Sequence, residues 1–177
     1  DAGAWAFGGG SDGTSRWMSF VSGGVYDGTG PGNAQVDELV AAGSLLVSSA
    51  GNYANQHCWA ECPDFNRDGV HDFEDSTQTL PIYLKSGTST VSLIWDDYRS
   101  CGATDLDAYV YDQEGDLVGR STHVQSTDVE DCRPVESVSA RASERGWQFL
   151  VVHRAAGTEA VRFDVITRRS RIHQSPA

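Results

Sequence analysis

The sequence is poor in basic residues and has no long apolar run. Its 177 residues include 13 Lys and Arg against 25 Asp and Glu, which gives a formal charge of −12 at pH 7. This charge argues against a nucleic-acid partner, because phosphate backbones attract cationic surfaces. No segment approaches the roughly 18 consecutive apolar residues of a membrane helix. The first residues, Asp-Ala-Gly-Ala, also lack the basic start and apolar core of a signal peptide. We therefore expect neither a nucleic acid nor a membrane as partner.

The acidic residues are unevenly distributed along the chain. Residues 58–135 contain 16 acids against 5 Lys or Arg, whereas residues 136–177 contain 4 acids against 7 Arg. An acidic block of this kind indicates either cation binding or a solvated surface, and composition alone leaves both open.

The four cysteines form two local sets. Cys58 and Cys62 bracket Trp-Ala-Glu, and Cys101 and Cys132 flank an acidic segment. A zinc site would usually use a C-x2-C pair or histidines at regular spacing, which this sequence lacks. The spacing favours disulfides Cys58–Cys62 and Cys101–Cys132 in an exported protein, with free thiols as the alternative. We therefore expect the protein to be secreted or extracellular.

A helix followed by a strand is predicted within residues 33–52. Asn33 can cap a helix, and Gly43 can end it in a left-handed conformation. The apolar residues of this helix are three and four positions apart: Val36, Leu39 and Val40. The continuous apolar run at residues 45–47 is typical of a buried parallel strand. The segment therefore predicts an αβ unit.

Asn52 follows this predicted strand. Ligands in open α/β sheets bind beyond the carboxyl ends of the strands, where the amide of Asn52 could donate to developing negative charge. The alternative is that Asn52 is a turn residue after Gly51. The run "VDELVAAGSLLVSSAGN", residues 36–52, resembles the segment of subtilisin-like serine proteases in which a helix leads into a strand ending in A-G-N. This resemblance implies that Asn52 supplies the side-chain half of an oxyanion hole.

The rest of that family's catalytic machinery has no match. The family nucleophile lies in G-T-S-x-A at the start of a helix, whereas Gly87-Thr88-Ser89 precedes a predicted strand and fits a hairpin turn. None of the histidines has the family's H-G-T context, and we interpret them as ordinary surface or loop residues: His57, His71, His123, His153 and His173. We therefore expect the chain alone to lack the Asp/His/Ser triad and to be inactive.

An acidic loop predicts a calcium site. Oxygen-bearing side chains occupy positions 1, 3, 5, 9 and 12 of a loop that has Gly69 at position 6 and the Val70 carbonyl at position 7. These side chains belong to Asp64, Asn66, Asp68, Asp72 and Asp75. Asp replaces the usual Glu at position 12, and a strand-like segment follows, so the pattern indicates a structural calcium rather than a switch. The alternative is an acidic turn cluster that binds no ion.

From residue 79 onward the pattern is all β. About seven short strands are separated by turn signals, which is typical of a β-sandwich. The predicted strands cover residues 80–84, 90–95, 106–111, 116–121, 136–141, 147–153 and 160–166. Residues 113–115, Gln-Glu-Gly, predict a hairpin turn. We expect these strands to form a self-sufficient core.

Three segments of this region carry a second resemblance. "DLDAYVY" at residues 105–111, "PVESV" at 134–138 and "WQFLVV" at 147–152 are similar to the bacterial pre-peptidase C-terminal type of β-sandwich, a module that accompanies secreted proteases. The resemblance implies that further acidic side chains hold calcium. The candidates are Asp96, Asp97, Asp105 and Asp107, with exposed carboxylates at strand ends as the alternative.

Together these patterns predict a mainly β chain, in which an antiparallel β-sandwich of about seven strands is attached to a partial α/β subtilase segment. Residues 1–57 would belong to the catalytic domain, residues 58–170 to an inserted calcium-binding sandwich, and residues 171–177 to the return into the catalytic domain. The expected function is that of a fragment of a secreted subtilisin-like serine endopeptidase.

Two partners follow for the intact enzyme: the remainder of the catalytic domain and a protein or peptide substrate. The alternative is a non-enzymatic module that binds carbohydrate or protein. Its candidate aromatic residues are Trp59, Tyr109, Tyr111 and Trp147.

Overall fold

The computed structural model describes residues 31–45, 56–61, 63–73, 77–97, 103–125, 134–157, 161–167 and 170–173. Several residues singled out from the sequence lie outside these ranges, and what was predicted for them stays a prediction: Asn52, Cys62, Asp75, Cys101 and Cys132. The division of the chain at residues 57 and 170 likewise stays a prediction.

The described residues form one helix and nine strands. Helix α1 spans Pro31–Ala41. The strands are β1 (His57–Glu61), β2 (Leu80–Leu84), β3 (Gly87–Trp95), β4 (Asp105–Tyr111), β5 (Leu117–Ser121), β6 (Val135–Ala142), β7 (Gly146–Ala156), β8 (Arg162–Thr167) and β9 (Arg171–Ile172). The seven predicted strands are all present, and β1 and β9 are additional.

The strands form two antiparallel sheets. One has four strands in the order β1-β8-β3-β6, and the other has five in the order β5-β4-β7-β2-β9. Every pair of neighbouring strands in these sheets is antiparallel. The prediction of a mainly β fold with an antiparallel sandwich is confirmed.

The core lies where side chains from both sheets are buried together. Alternate residues of a strand point to the same face of its sheet, and the predicted inward residues of β4 and β8 are almost fully buried. Leu106 and Val110 of β4 are 0 % exposed, and Phe163 of β8 is 1 % exposed. Burial of each such large side chain stabilises the fold by about 1.5–3 kcal/mol. Alternation in the sequence was therefore a sound guide to the core.

Two turns with left-handed glycines connect strands in different ways. Gly115 (φ +88°) lies in the hairpin between β4 and β5, as predicted, and the Asp112 carboxylate accepts hydrogen bonds from the backbone N–H groups of Glu114 and Asp116. Gly87 (φ +97°) follows β2 but begins β3 in the other sheet. The expectation of a hairpin at Gly87 is therefore wrong: this turn carries the chain from one sheet to the other.

Helix α1 ends as the sequence predicts. Gly43 has φ +80°, its N–H donates to the Val40 carbonyl, and the Ser44 N–H donates to the Leu39 carbonyl at 2.9 Å. These bonds satisfy carbonyls that would otherwise lack donors at the helix end. The helix begins at Pro31, two residues before the predicted cap, since proline suits the first helical position. Among the residues that the structure describes, no helix is long and apolar enough to cross a bilayer.

The segment after α1 departs from the expected buried strand. Leu45 lies outside any strand and is 89 % exposed, and residues 46 and 47 fall outside the described ranges. A parallel strand is buried when helices cover both faces of its sheet. The two described sheets contain no parallel pair for Leu45 to join, so its predicted burial is wrong.

Candidate metal centres

The predicted calcium loop lies against strand β7. The Arg154 N–H donates to the Gly69 carbonyl at 2.7 Å, and the His71 N–H donates to the Val152 carbonyl at 2.9 Å. These two bonds flank an antiparallel bridge between Val70 and His153. In such a pair the N–H and C=O of the bridged residue point away from the partner strand. The backbone of Val70 therefore faces the interior of the loop.

Inside the loop, side-chain oxygens accept hydrogen bonds from the loop's own backbone. The two carboxylate oxygens of Asp64 accept from the N–H groups of Asp68 at 3.1 Å and Gly69 at 3.0 Å. The Asn66 side-chain oxygen also accepts from the Asp68 N–H, at 3.2 Å, and Asp68 Oδ1 accepts from the Val70 N–H at 2.8 Å. Gly69 has φ +87°, which glycine adopts without strain. The oxygens at positions 1, 3 and 5 are thus held around one sharp turn.

Three further hydrogen bonds hold the loop together. Asp68 Oδ2 accepts from Asn66 Nδ2 at 2.9 Å and from Gln78 Nε2 at 2.6 Å, and the Gln78 bond is the main reason that the pKa of Asp68 is lowered. Asp72 is 4 % exposed, and its Oδ2 accepts from the Phe65 N–H at 2.7 Å. Asp72, at position 9 of the predicted site, therefore contacts the backbone near the start of the loop.

His71 lies in a loop, one of the two settings expected for it, but its side chain is buried against the core. It is 2 % exposed and contacts Phe73 and Phe163 edge to face, with ring centroids 4.3 Å and 4.7 Å away. Burial lowers the pKa of His71 to about 4, so the ring is neutral at neutral pH. The burial of His71 was not predicted, because the backbone pairing of the loop with β7 leaves no local sequence signal.

The described carboxylates of the loop, on Asp64, Asp68 and Asp72, are not grouped within 4.8 Å of one another. In the described part of the chain, the one group of three acidic side chains whose oxygens all lie within 4.8 Å of one another is found elsewhere. It consists of Asp105, Asp107 and Glu136, which we call the carboxylate cluster. Of these, the resemblance named Asp105 and Asp107 as candidates.

The carboxylate cluster brings the two sheets together. Asp105 and Asp107 lie on β4 of the five-stranded sheet, and Glu136 lies on β6 of the four-stranded sheet. Glu136 is 1 % exposed. It accepts hydrogen bonds from the Ser121 hydroxyl, from the His123 N–H at 2.8 Å and from Gln125 Nε2 at 3.4 Å. These donors hold Glu136 in place from the end of β5.

Burial and mutual repulsion shape the electrostatics of the cluster. Burial raises the pKa of Asp105 and of Glu136, and the charge of Asp107 raises both further. Asp107 itself accepts a hydrogen bond from the Tyr109 hydroxyl at 3.0 Å, and its Oδ2 lies 3.9 Å from His153 Nδ1. The cluster therefore strongly favours a positive charge or a proton among its oxygens.

Glu136 was not identified from the sequence, although a signal exists. In β6 it occupies the same face as Val138 and Ala140, which are fully buried. An acidic residue at an inward position of an alternating strand must be paired or must serve a site. The alternation in β6 could therefore have pointed to Glu136.

The other two acidic candidates, Asp96 and Asp97, accept hydrogen bonds from backbone N–H groups. Asp96 is exposed, and its Oδ1 accepts from the Arg162 N–H at 2.8 Å. Asp97 is 5 % exposed, and its Oδ2 accepts from the Thr104 N–H at 2.7 Å. Neither belongs to the carboxylate cluster. Asp96 thus joins the end of β3 to the start of β8, whereas Asp97 supports the backbone before β4.

Cys58 lies on β1, half-buried against the hydrophobic core. Its predicted partner Cys62 falls outside the described residues, as do Cys101 and Cys132. Both predicted disulfides therefore stay predictions.

Comparison with known proteins adds no family assignment. No protein-family model matches the chain, and no curated protein matches it.

Proposed function

We propose that the chain is a calcium-binding β-sandwich carried by a secreted subtilisin-like serine endopeptidase. In that enzyme the chain's partners are the remainder of the catalytic domain and a protein or peptide substrate, and Asn52 stabilises the oxyanion during peptide-bond hydrolysis. The sandwich binds calcium through the loop at residues 64–75 and thereby stabilises the enzyme or positions its substrate. This proposal unites the two resemblances with the loop geometry.

The observation that carries the calcium proposal is the arrangement around Gly69. Asp64 Oδ2 accepts the Gly69 N–H, Asp68 Oδ1 accepts the Val70 N–H, and the backbone of Val70 faces into the loop. A carboxylate oxygen has more than one lone pair, so an oxygen that accepts an N–H can still bind a cation. Calcium accepts such irregular sets of six to eight oxygens. The proposed ligands are Asp64, Asn66, Asp68, the Val70 carbonyl, Asp72 and Asp75.

Calcium at this position is expected to stabilise the sandwich. The loop connects β1 to β2 and contacts β7, so an ion there restrains a connection between the two sheets. A ligand that binds only the folded state stabilises it by about 2.7 kcal/mol at 100 times its Kd. The stabilisation disappears when the ion is removed.

The test compares thermal unfolding in calcium and in excess EDTA for three proteins. These are the wild type, the double variant Asp64→Asn/Asp68→Asn, and the control Glu114→Gln, which removes an exposed acid from the β4–β5 hairpin. Calcium should raise the melting temperature of the wild type and the control, and raise that of the double variant less. An equal rise in all three proteins contradicts calcium binding by the loop.

The proposed parent enzyme is tested by the coding sequence on either side of this chain. We expect an Asp motif and an H-G-T motif upstream and a G-T-S-M-A motif downstream. The isolated chain should release no peptides from casein. Inhibitor-sensitive cleavage by the purified chain would contradict the assignment of catalysis to the intact enzyme.

One observation favours a second candidate function, polysaccharide binding. The register between β4 and β7 places Tyr111 opposite Phe149, and alternation along these strands puts Tyr109 and Trp147 on the same face. Trp147 is 37 % exposed and contacts Tyr83, with ring centroids 5.3 Å apart. Planar rings on one sheet face suit the flat faces of sugar rings. A glycan array without retention of the chain removes this candidate.

A further inference from the structure

The carboxylate cluster is formed by residues other than those of the proposed calcium loop, and His153 lies next to both. The cluster shares no residue with the loop, and its oxygens come from β4 and β6 in different sheets. Three carboxylates within 4.8 Å of one another repel strongly when all are charged, because burial keeps water from screening them. A positive species among these oxygens would relieve this repulsion.

The hydrogen bonds among the described residues do not satisfy every oxygen of the cluster, as Asp105 shows. This residue is 8 % exposed, and its Oδ1 is buried and receives no hydrogen bond from any residue in the described part of the chain. An acceptor that is buried without a partner carries the full cost of losing its water. Glu136 differs, because three groups donate to its carboxylate. One buried oxygen on a member of the cluster therefore lacks a donor in the described residues.

The ligand that satisfies all three residues is a cation. A single proton can neutralise one carboxylate and leaves two charges unbalanced. A cation bound by oxygen ligands alone belongs to the hard divalent class, such as Ca²⁺, Mg²⁺ or Mn²⁺. We propose that Asp105, Asp107 and Glu136 form a second cation site that binds one hard divalent cation between the two sheets. This inference goes beyond the proposed calcium loop and does not require it.

Such an ion has a definite structural consequence. It ties β4 of the five-stranded sheet to β6 of the four-stranded sheet at one end of the core. Glu136 is already positioned by Ser121, His123 and Gln125, so its carboxylate needs little rearrangement. The Asp107 side chain links the site to Tyr109 through its hydroxyl. The tyrosine environment therefore provides an optical signal for binding.

The experiment counts bound cations on the full chain after EDTA treatment and dialysis. Calorimetric titrations with Ca²⁺, Mg²⁺ and Mn²⁺ are run separately on the wild type, on Glu136→Gln and on the loop variant Asp64→Asn/Asp68→Asn. Glu136→Gln should bind one cation fewer than the wild type for at least one of the three metals and keep the loop cation. The proposal is overturned if Glu136→Gln matches the wild type in number and affinity for all three.

A second variant, Asp105→Asn, separates cation binding from a simple folding defect. It keeps the shape of the side chain and removes one charge from the crowded cluster. In excess EDTA it should melt at the wild-type temperature or above, whereas with saturating cation it should melt below the wild type. A residue that only supports the fold lowers the melting temperature in both conditions, and that result contradicts the proposal.

The outcomes for the two sites are distinguishable. If only the loop variant loses a cation, the calcium loop stands and the cluster site is wrong. If only Glu136→Gln loses one, the cluster site stands and the loop proposal is wrong. If each loses one, both sites bind cations independently. If neither variant loses one, both proposals are overturned.

Discussion

The proposed calcium loop and the carboxylate cluster are both acidic, yet most of their carboxylates lie in different environments. In the loop, Asp64 and Asp68 accept hydrogen bonds from the backbone around them, and Asp68 is exposed. In the cluster, Glu136 is 1 % exposed and Asp105 Oδ1 is buried without a donor in the described residues. Local backbone groups compensate the charges of the loop. The cluster keeps one buried carboxylate oxygen, Asp105 Oδ1, that no donor in the described residues satisfies.

The two regions differ in whether their carboxylates lower the stability of the folded state when no ion is bound. An exposed carboxylate that accepts hydrogen bonds from nearby backbone N–H groups is stable without an ion. An acidic loop of this kind can therefore fold without bound calcium. Buried carboxylates that face one another raise the free energy of the folded state unless a cation or a proton is present. We therefore expect ion removal to affect the cluster more than the loop.

The largest effect should come from Gly119→Ala, which pushes the elements around the cluster apart. An added Cβ would lie 2.9 Å from Ala140 Cα and 3.0 Å from the Ser139 carbonyl oxygen, so β5 must move away from β6. We expect a loss of about 3 kcal/mol in the free energy of unfolding, measured by urea denaturation in EDTA. Cation binding at the cluster should weaken while the loop is unaffected. Gly146→Ala, where the added Cβ meets open space, is the control.

A smaller loss of stability is expected from Gly69→Ala, which lies in the proposed calcium loop. The left-handed conformation at φ +87° costs a residue with a side chain about 1–2 kcal/mol. The loop should lose calcium affinity in titration calorimetry while the cluster keeps its cation. Gly115→Ala has a similar φ of +88° and open space around its Cβ, so it should lose stability without losing calcium. Equal calcium affinity in both variants contradicts the loop site.

Ser121→Ala tests how far Glu136 depends on its donors. The change removes a hydroxyl that donates to a carboxylate 1 % exposed to solvent. The free energy of unfolding in EDTA should fall by about 1 kcal/mol, as measured by chemical denaturation. Ser139→Ala, on an exposed position of β6, should change it little. If the two variants are equally stable, the hydroxyl does not support Glu136.

The smallest effect is a difference in pH dependence, measured in excess EDTA. The pKa of Glu136 is raised above its ordinary 4.5, so its unfavourable contribution is present above the folded pKa and is relieved as pH falls through it. The wild type should therefore gain stability relative to Glu136→Gln as pH falls from 7. The pKa of Asp68 is lowered below 3.8, so its favourable contribution is lost as pH falls through the folded value.

In the same acid titration, the change in stability of the wild type relative to the loop variant should have the opposite sign. The wild type should lose stability relative to Asp68→Asn below about pH 4. His71 contributes equally to the wild type and each variant, so differences between melting curves cancel its titration. Curves of the same sign for both variants would contradict the contrast between the two regions.

The sequence predicted the mainly β fold because its strands carry their own signals. Alternating apolar residues marked β4 and β8, and Gln113-Glu114-Gly115 marked the hairpin after β4. β1 and β9 were missed because they are short strands whose sequences, His-Cys-Trp-Ala-Glu and Arg-Ile, lack alternation. Their pairing depends on β8 and β2, which no local pattern specifies.

By itself, the sequence predicted the acidic turn around Gly69 and proposed it as a calcium loop, since a 12-residue spacing is local and its turn needs only Gly69 at one position. It also predicted that α1 ends at Gly43 in a left-handed conformation, which the structure has. Only the tertiary structure decided that His71 is buried and that Glu136 joins Asp105 and Asp107. The physical reason is that both depend on contacts between distant strands, and the register and packing of two sheets place side chains that sequence spacing cannot bring together.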